Sequence, residues 1–128
     1  TTGQFYFYSS TEKIKNNIQD MTNGLSVVNA LRPVSYDLKS GATNFVGFIA
    51  EEVHAVDSTL STLGPDLDYD ETGTPKRDDS DQKILLSENQ VPIGCDPSAV
   101  IAVLVKSVQE LSTKVEALEA TVERLSGE

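Results

Sequence analysis

DPSAVIAVLVKSVQELSTKVEALEATVERLSGE, residues 96–128, is the stretch that decides the fold of this chain. Asp96 is of a type that caps helix N-termini and Pro97 suits a first helical turn, so a helix is predicted to begin here. Apolar residues then occupy the a and d positions of successive heptads: Ile101, Leu104, Val108, Leu111, Val115, Leu118, Val122 and Leu125. This repeat is typical of a coiled coil. Because a single helix cannot bury such a stripe, the repeat predicts an oligomer.

The two ends of this predicted helix differ in character. Residues 99–105 are apolar on every side, which is typical of a segment enclosed by protein, and they are too few to cross a bilayer. Beyond Lys106 only the a/d stripe stays apolar, so an exposed stalk is expected. Lys114 at a g position and Glu119 at the following e position favour parallel chains in register. An amphipathic helix packed on its own domain is the alternative, and β-branched a residues with Leu at d favour two strands rather than three.

The composition limits the kinds of partner and site. The 128 residues give room for one ordinary domain plus the stalk. A net charge of −10 argues against nucleic acid and an anionic membrane as partners. Cys95 is the only cysteine and His54 the only histidine, which excludes an internal disulfide, a cysteine metal cluster and a histidine-based triad. No metal or cofactor is therefore expected, and His54 is expected to be a surface or rim residue.

The residues before the long helix predict an α+β fold. The aromatic run at residues 4–8 reads as a strand, and residues 1–9 are expected to end a preceding structure. Ile14, Ile18 and Met21 are spaced as one face of a short helix. Residues 25–31 predict a second short helix, which the following proline ends.

A β-hairpin and a third short helix are predicted next. Residues 32–39 and residues 45–50 both read as strands, and the turn-forming SGATN lies between them. Residues 50–56 are spaced as a helix with one buried face. Residues 83–94 are expected to form one or two short strands before the long helix.

Residues 58–82 lose all periodicity and are expected to form a solvated acidic loop. Residues 66–82 hold seven acidic residues against two basic ones. Asp66, Asp68 and Asp70 resemble the start of a calcium-binding loop, but Glu71 and Arg77 stand where that loop needs glycine and glutamate. A calcium-dependent adhesin tip would rest on these aspartates alone.

Three blocks carry a family resemblance: SSTEKIKNNI at 9–18, LRPVSYDLK with VGFIAEEV at 31–53, and IAVLVKSVQEL at 101–111. In that order they resemble the self-cleaving intramolecular chaperone domain at the C-termini of phage tail spikes and fibres, including endosialidases. A related domain occurs in the membrane-bound myelin regulatory factor. The resemblance covers nearly all of residues 10–125 except the acidic loop. It implies a homotrimer that brings the upstream β-structural domain of the same chain into register, with a parallel trimeric coiled coil as the stalk.

The resemblance also implies self-cleavage immediately before a serine by a serine–lysine dyad. The family motif is Ser-Asp-x-Arg-x-Lys-x-x-Ile. Its serine corresponds to Ser10, its lysine to Lys15 and its isoleucine to Ile18, so the expected cut lies between Ser9 and Ser10. Lys13 replaces the arginine of the motif. Thr11 replaces its aspartate, which is the larger departure.

The residues permit this chemistry only in one local conformation. A serine nucleophile needs a base, and lysine is the candidate once its pKa, near 10.4 in water, is lowered by about three units. Ser9 and Glu12, however, also form a capping box that would start an α-helix at Ser10. Positions five apart lie about 140° round such a helix, so Ser10 and Lys15 could not meet. The dyad therefore requires an extended or turn conformation at Ser10.

Two functions follow. The first is an intramolecular chaperone that trimerises and then releases itself by autoproteolysis, and the alternative is a non-cleaving structural trimerisation domain, which Thr11 favours. The expected organisation is residues 1–9 ending the upstream spike, residues 10–96 as a globular head with the acidic loop at 58–82, and residues 97–128 as the stalk. Such a domain would be made in the host cytoplasm as part of a tail fibre or spike precursor and lost from the mature particle.

Overall fold

The computed structural model describes residues 10–127. The predicted strand at residues 4–8, the predicted end of the upstream structure at 1–9, and Ser9 lie outside these residues. The described elements are α1 (Leu25–Ala30), β1 (Val34–Tyr36), β2 (Phe45–Gly47), α2 (Ala50–Val56), β3 (Ser61–Leu67), β4 (Leu85–Cys95) and α3 (Pro97–Ser126), with 3₁₀-helical turns at Glu12–Ile14 and Ser58–Leu60. The fold is α+β, as predicted: two antiparallel two-stranded sheets and one long C-terminal helix.

Helix α3 begins where the sequence predicts. The Asp96 carboxylate accepts hydrogen bonds from the backbone amides of Ser98 (3.0 Å) and Ala99 (3.3 Å), and Pro97 occupies the first turn. The helix then runs for 30 residues, which corresponds to about 45 Å. Among helices within residues 10–127, none is both long enough and apolar enough to cross a bilayer.

The helix predicted over Ile14, Ile18 and Met21 is wrong. Only one 3₁₀-helical turn forms, at Glu12–Ile14, and the chain up to residue 23 is irregular. Asn17 lies in the left-handed region (φ 56°), which asparagine tolerates and which ends a helix. Ile14 and Ile18 are 64% and 66% exposed, so these two residues of the predicted apolar face gain little burial within residues 10–127. A helix this short needs such packing to form.

The predicted first hairpin and short helices are confirmed. Strands β1 and β2 pair antiparallel, with Val34 opposite Gly47 and Tyr36 opposite Phe45, and each strand is shorter than predicted. The Tyr36 and Phe45 rings stack with their centroids 5.7 Å apart. Helices α1 and α2 occupy the predicted segments.

The prediction of an acidic loop over residues 58–82 is wrong for much of that segment. Residues 61–67 form β3, which pairs antiparallel with β4 from Ser61 opposite Cys95 to Leu67 opposite Leu85. Beyond β3 the chain remains ordered through isolated bridges between Tyr69 and Pro75 and between Arg77 and Lys83. We call residues 61–95 the hairpin arm.

The core is small and lies against one face of α3. Its fully buried members are Val53 of α2, Leu60 of the second 3₁₀-helical turn and Val103 of α3. Half-buried residues surround them: Val27, Val28, Leu31, Phe48, Cys95, Ala99 and Val100. The expectation that residues 99–105 are enclosed on all sides does not hold within one chain, because Ile101 and Val105 remain 58% and 51% exposed.

Candidate functional site

Ser10 and Lys15 are in direct contact. The Lys15 Nζ atom donates a hydrogen bond to Ser10 Oγ over 2.7 Å. The sequence motif predicts Ser10 as the nucleophile and Lys15 as the base. Both side chains lie at the surface of the single chain.

A single tight turn makes this contact possible. Thr11 is extended (φ −68°, ψ 147°) and caps the turn, and Lys15 after the turn is again extended (φ −115°, ψ 143°). Two backbone bonds close the turn, from Ile14 N to Thr11 O (3.2 Å) and from Lys15 N to Glu12 O (3.1 Å). Ser10 therefore lies outside any helix, and the alternative of an α-helix starting at Ser10 is wrong. The turn between these extended residues brings the two side chains together.

The cap residue is Thr11 rather than Ser9. The Thr11 Oγ1 atom accepts a hydrogen bond from the Lys13 amide over 3.3 Å. Aspartate, the residue of the family motif, is also a preferred cap. Thr11 was identified from the sequence as replacing the aspartate of the motif, but its role in capping the turn was not predicted. Both residue types are preferred caps, so this role could have been predicted.

The segment after the turn runs beside α3. Asp20 and Met21 line a shallow groove together with Ala102, Val105, Lys106 and Gln109 of that helix. At the end of the segment, the backbone amide of Leu25 donates to the Glu110 carboxylate over 3.2 Å, so α3 caps the first turn of α1. Residues 25 and 110 are too distant in sequence for any local pattern to predict this bond.

Residues 10–64 match the family model described as chaperone of endosialidase, which is classed as a peptidase family. Over these residues the chain is similar to that family. The match confirms the resemblance for the first two sequence blocks, and it supports an intramolecular chaperone domain of the kind found in phage tail proteins. The block at residues 101–111 lies outside the match. The match begins at Ser10 and ends within β3. No curated protein and no solved structure shows a significant match to the chain.

Other polar residues within residues 10–64 have structural partners. Arg32 donates to both carboxylate oxygens of Glu52, from Nε over 2.9 Å and from Nη2 over 2.6 Å, and thereby ties the start of the first hairpin to α2. These hydrogen bonds lower the pKa of Glu52. His54 is half-buried, and its Nδ1 lies 2.8 Å from Ser61 Oγ. Since the Ser61 hydroxyl donates to the Ser58 carbonyl, Nδ1 is the donor to Ser61.

The three aspartates that resembled a calcium loop each contact a different partner. Asp66 accepts from the Ser87 hydroxyl, and Asp68 lies 3.5 Å from the Lys76 ammonium. Asp70 closes a turn by accepting from the Thr72 hydroxyl and from backbone amides, and these bonds lower its pKa. Within residues 10–127, no group of three metal-ligating side chains is placed to hold an ion.

The a/d stripe of α3 is uncovered in the single chain. Its eight side chains are between 46% and 64% exposed. The head contacts a different face of the helix, through Val100, Val103, Ser107 and Glu110. We call the eight exposed residues the seam: Ile101, Leu104, Val108, Leu111, Val115, Leu118, Val122 and Leu125.

Proposed function

We propose that this chain is an intramolecular chaperone that trimerises through α3, brings upstream β-structural segments into register, and then releases itself by cleavage between Ser9 and Ser10. The observation that carries the proposal is the 2.7 Å contact between Lys15 Nζ and Ser10 Oγ, at the residue where the family match begins. The released piece would be lost from the mature tail fibre or spike.

The seam supports the oligomeric part of the proposal. Burial of each seam residue contributes about 1.5–3 kcal/mol before entropic costs, so the uncovered stripe favours association strongly. The head lies on another face of α3 and therefore leaves room for neighbouring helices. The resemblance to the family implies a trimer, rather than the dimer that the a/d residue types favour.

The proposed chaperone function requires that the chains associate through α3 before their upstream β-segments pair. Once α3 has brought the chains together, upstream segments meet at the high effective concentration of one molecule. Non-local β-pairing is otherwise slow and exposes aggregation-prone strands. A parallel bundle, which Lys114 and Glu119 favour, would present all upstream segments at the same end.

The cleavage chemistry uses only residues of this chain. The Ser10 hydroxyl oxygen attacks the carbonyl carbon of Ser9, and Lys15 accepts the hydroxyl proton. The Ser9–Ser10 amide bond then breaks, the Ser10 nitrogen leaves as an amine, and an ester joins Ser9 to Ser10 Oγ. Water hydrolyses this ester to give a Ser9 carboxylate and a free Ser10 hydroxyl.

The exposure of the pair indicates when cleavage occurs. A lysine surrounded by water is an ammonium and cannot accept a proton, whereas burial or a neighbouring cation favours the neutral amine. Ser10 and Lys15 are exposed in the single chain, so neighbouring chains or the upstream domain must cover them. We therefore expect cleavage after assembly and not before it.

The test is cleavage of a longer chain that includes the upstream domain. Ser10→Ala and Lys15→Ala should both abolish the loss of everything from Ser10 onward, measured by mass spectrometry of the denatured chain. Lys83→Ala, which removes another exposed lysine far from the turn, is the matched control and should cleave at the wild-type rate. Wild-type cleavage by Lys15→Ala would disprove the dyad.

A permanent trimerisation domain without peptidase activity is the second candidate. Thr11 in place of the motif aspartate and the exposure of Lys15 favour it. In that case the longer wild-type chain would remain intact after it has formed a stable trimer. Molar mass in solution, compared with the mass of the denatured chain, separates the two functions.

A further inference from the structure

The contact between Ser10 and Lys15 depends on which of two local conformations the chain adopts. A 3₁₀-helical turn flanked by extended residues brings the side chains together, as observed. A regular α-helix through the same residues would place them about 140° apart. Glu12 and the two lysines that follow are good helix formers, so local propensity does not exclude the α-helix.

Thr11 holds the observed conformation at three points. Its carbonyl accepts the bond from Ile14 that closes the turn, and its hydroxyl accepts the bond from the Lys13 amide. Its own backbone is extended, which a β-branched residue favours. Without the hydroxyl, the Lys13 amide would lose its partner in the turn, because amides at the start of a helical turn have no carbonyl to bond.

We propose that Thr11 is a positioning residue of the self-cleavage site, whose hydroxyl sets the approach of Lys15 Nζ to Ser10 Oγ. This inference rests on the proposed function. Thr11 contributes nothing to the proton transfer itself and acts through the geometry of the turn. It follows that the exchange of aspartate for threonine preserves the capping function, and that this departure does not disable the site.

Four substitutions test the inference in the longer chain with its upstream domain. Thr11→Val keeps the shape and β-branching but removes the hydrogen-bond acceptor, and it should slow cleavage about fivefold, the effect of losing a typical cap. Thr11→Ser and Thr11→Asp retain an acceptor and should cleave at about the wild-type rate. Thr11→Val should change the rate without moving the midpoint of its pH profile, because the base is unchanged. Lys15→Ala should abolish cleavage.

The outcomes distinguish failure of the inference from failure of the proposed function. If Lys15→Ala is inactive while Thr11→Val cleaves as fast as wild type, the dyad stands and the positioning role is disproved. A slow Thr11→Ser would disprove it as well, because serine retains the hydroxyl that caps the turn without adding a charge.

If the wild-type chain does not cleave, the proposed autoproteolysis fails and the positioning role is tested by nuclear magnetic resonance. Cross-relaxation between the Ser10 Hβ and Lys15 Hε protons should be present in wild type and Thr11→Ser. It should be about fivefold weaker in Thr11→Val, and wild-type intensity in that variant would overturn the inference.

Discussion

The two faces of α3 carry similar residue types but have opposite surroundings. On the face toward the head, Val103 is 1% and Ser107 3% exposed, and the Ser107 hydroxyl is satisfied by the Val103 carbonyl over 2.7 Å. On the seam, Val108 and Leu118 are each 64% exposed. The head therefore obtains its core without using the seam. This separation would allow one helix to hold a folded head and to associate with its neighbours independently.

The largest effect is expected from a charge in the seam. Leu111→Asp removes an apolar side chain and places a carboxylate in the proposed helix interface, in every chain of the assembly. We expect the molar mass measured by light scattering to fall to that of a single chain. Gln109→Asp introduces the same charge outside the seam and should leave the oligomer intact. An oligomeric Leu111→Asp variant would show that the seam is not the interface.

A methyl group at Gly24 should disrupt the contact between head and helix. A Cβ atom there would lie 2.6 Å from the Ser107 backbone nitrogen, and a helix backbone cannot easily move. Gly24→Ala should therefore destabilise the head by about 3 kcal/mol, at the upper end of overpacking effects. Gly47→Ala is the control, because its Cβ would meet Tyr36 at an ordinary 3.5 Å. Equal denaturant midpoints for the two variants would contradict the close approach.

A smaller effect is expected from a cavity in the core. Val103→Ala should lower the free energy of unfolding by about 2 kcal/mol, from lost burial and the space left behind. Val46, which is 83% exposed in β2, provides the matched control, since Val46→Ala deletes the same atoms from the surface. Denaturant unfolding at one fixed chain concentration measures both variants. Both variants should still form the same oligomer as the wild type, because neither substitution changes the seam.

The smallest effect is expected from acid acting on the hairpin arm. The hydrogen bonds to Asp70 lower its pKa in the folded chain, so their stabilisation is present above the ordinary pKa of aspartate. It is lost as the pH falls through the lowered folded value. Asp70→Asn should therefore show a smaller decrease in melting temperature between neutral and acidic pH than the wild type shows. An identical decrease would mean that Asp70 does not contribute.

Local signals allowed much of the fold to be predicted. The Asp96–Pro97 start of α3 depends on a cap and a proline, and both act within one turn. The first hairpin likewise follows from alternation and a short turn. Strand β3 escaped prediction because Gly64 and Pro65 normally interrupt strands. Here Gly64 is buried against the Ile93 side chain, and a register irregularity follows Pro65.

The candidate site could be predicted only in part. The positions of Ser10 and Lys15 follow from the family motif, whereas their contact depends on a choice between two conformations of similar local propensity. The extended backbone at Lys15 and the left-handed backbone at Asn17 interrupt the helix predicted over residues 14–21, and no periodicity signals that outcome. The cap that Glu110 provides for α1 depends on tertiary folding.

Helix α3 continues from the Asp96 cap to Ser126, with no glycine or proline after its first residue. A shift of the C-terminal end of α3 along its axis is therefore expected to shift the head by the same distance. If two chains paired one heptad out of step, their heads would be offset by about 10 Å, or about three residues along a strand. An offset by an odd number of residues turns every side chain to the opposite side of a sheet. In the proposed assembly, an alignment error in the stalk would thus invert the inside and outside of the upstream β-structure.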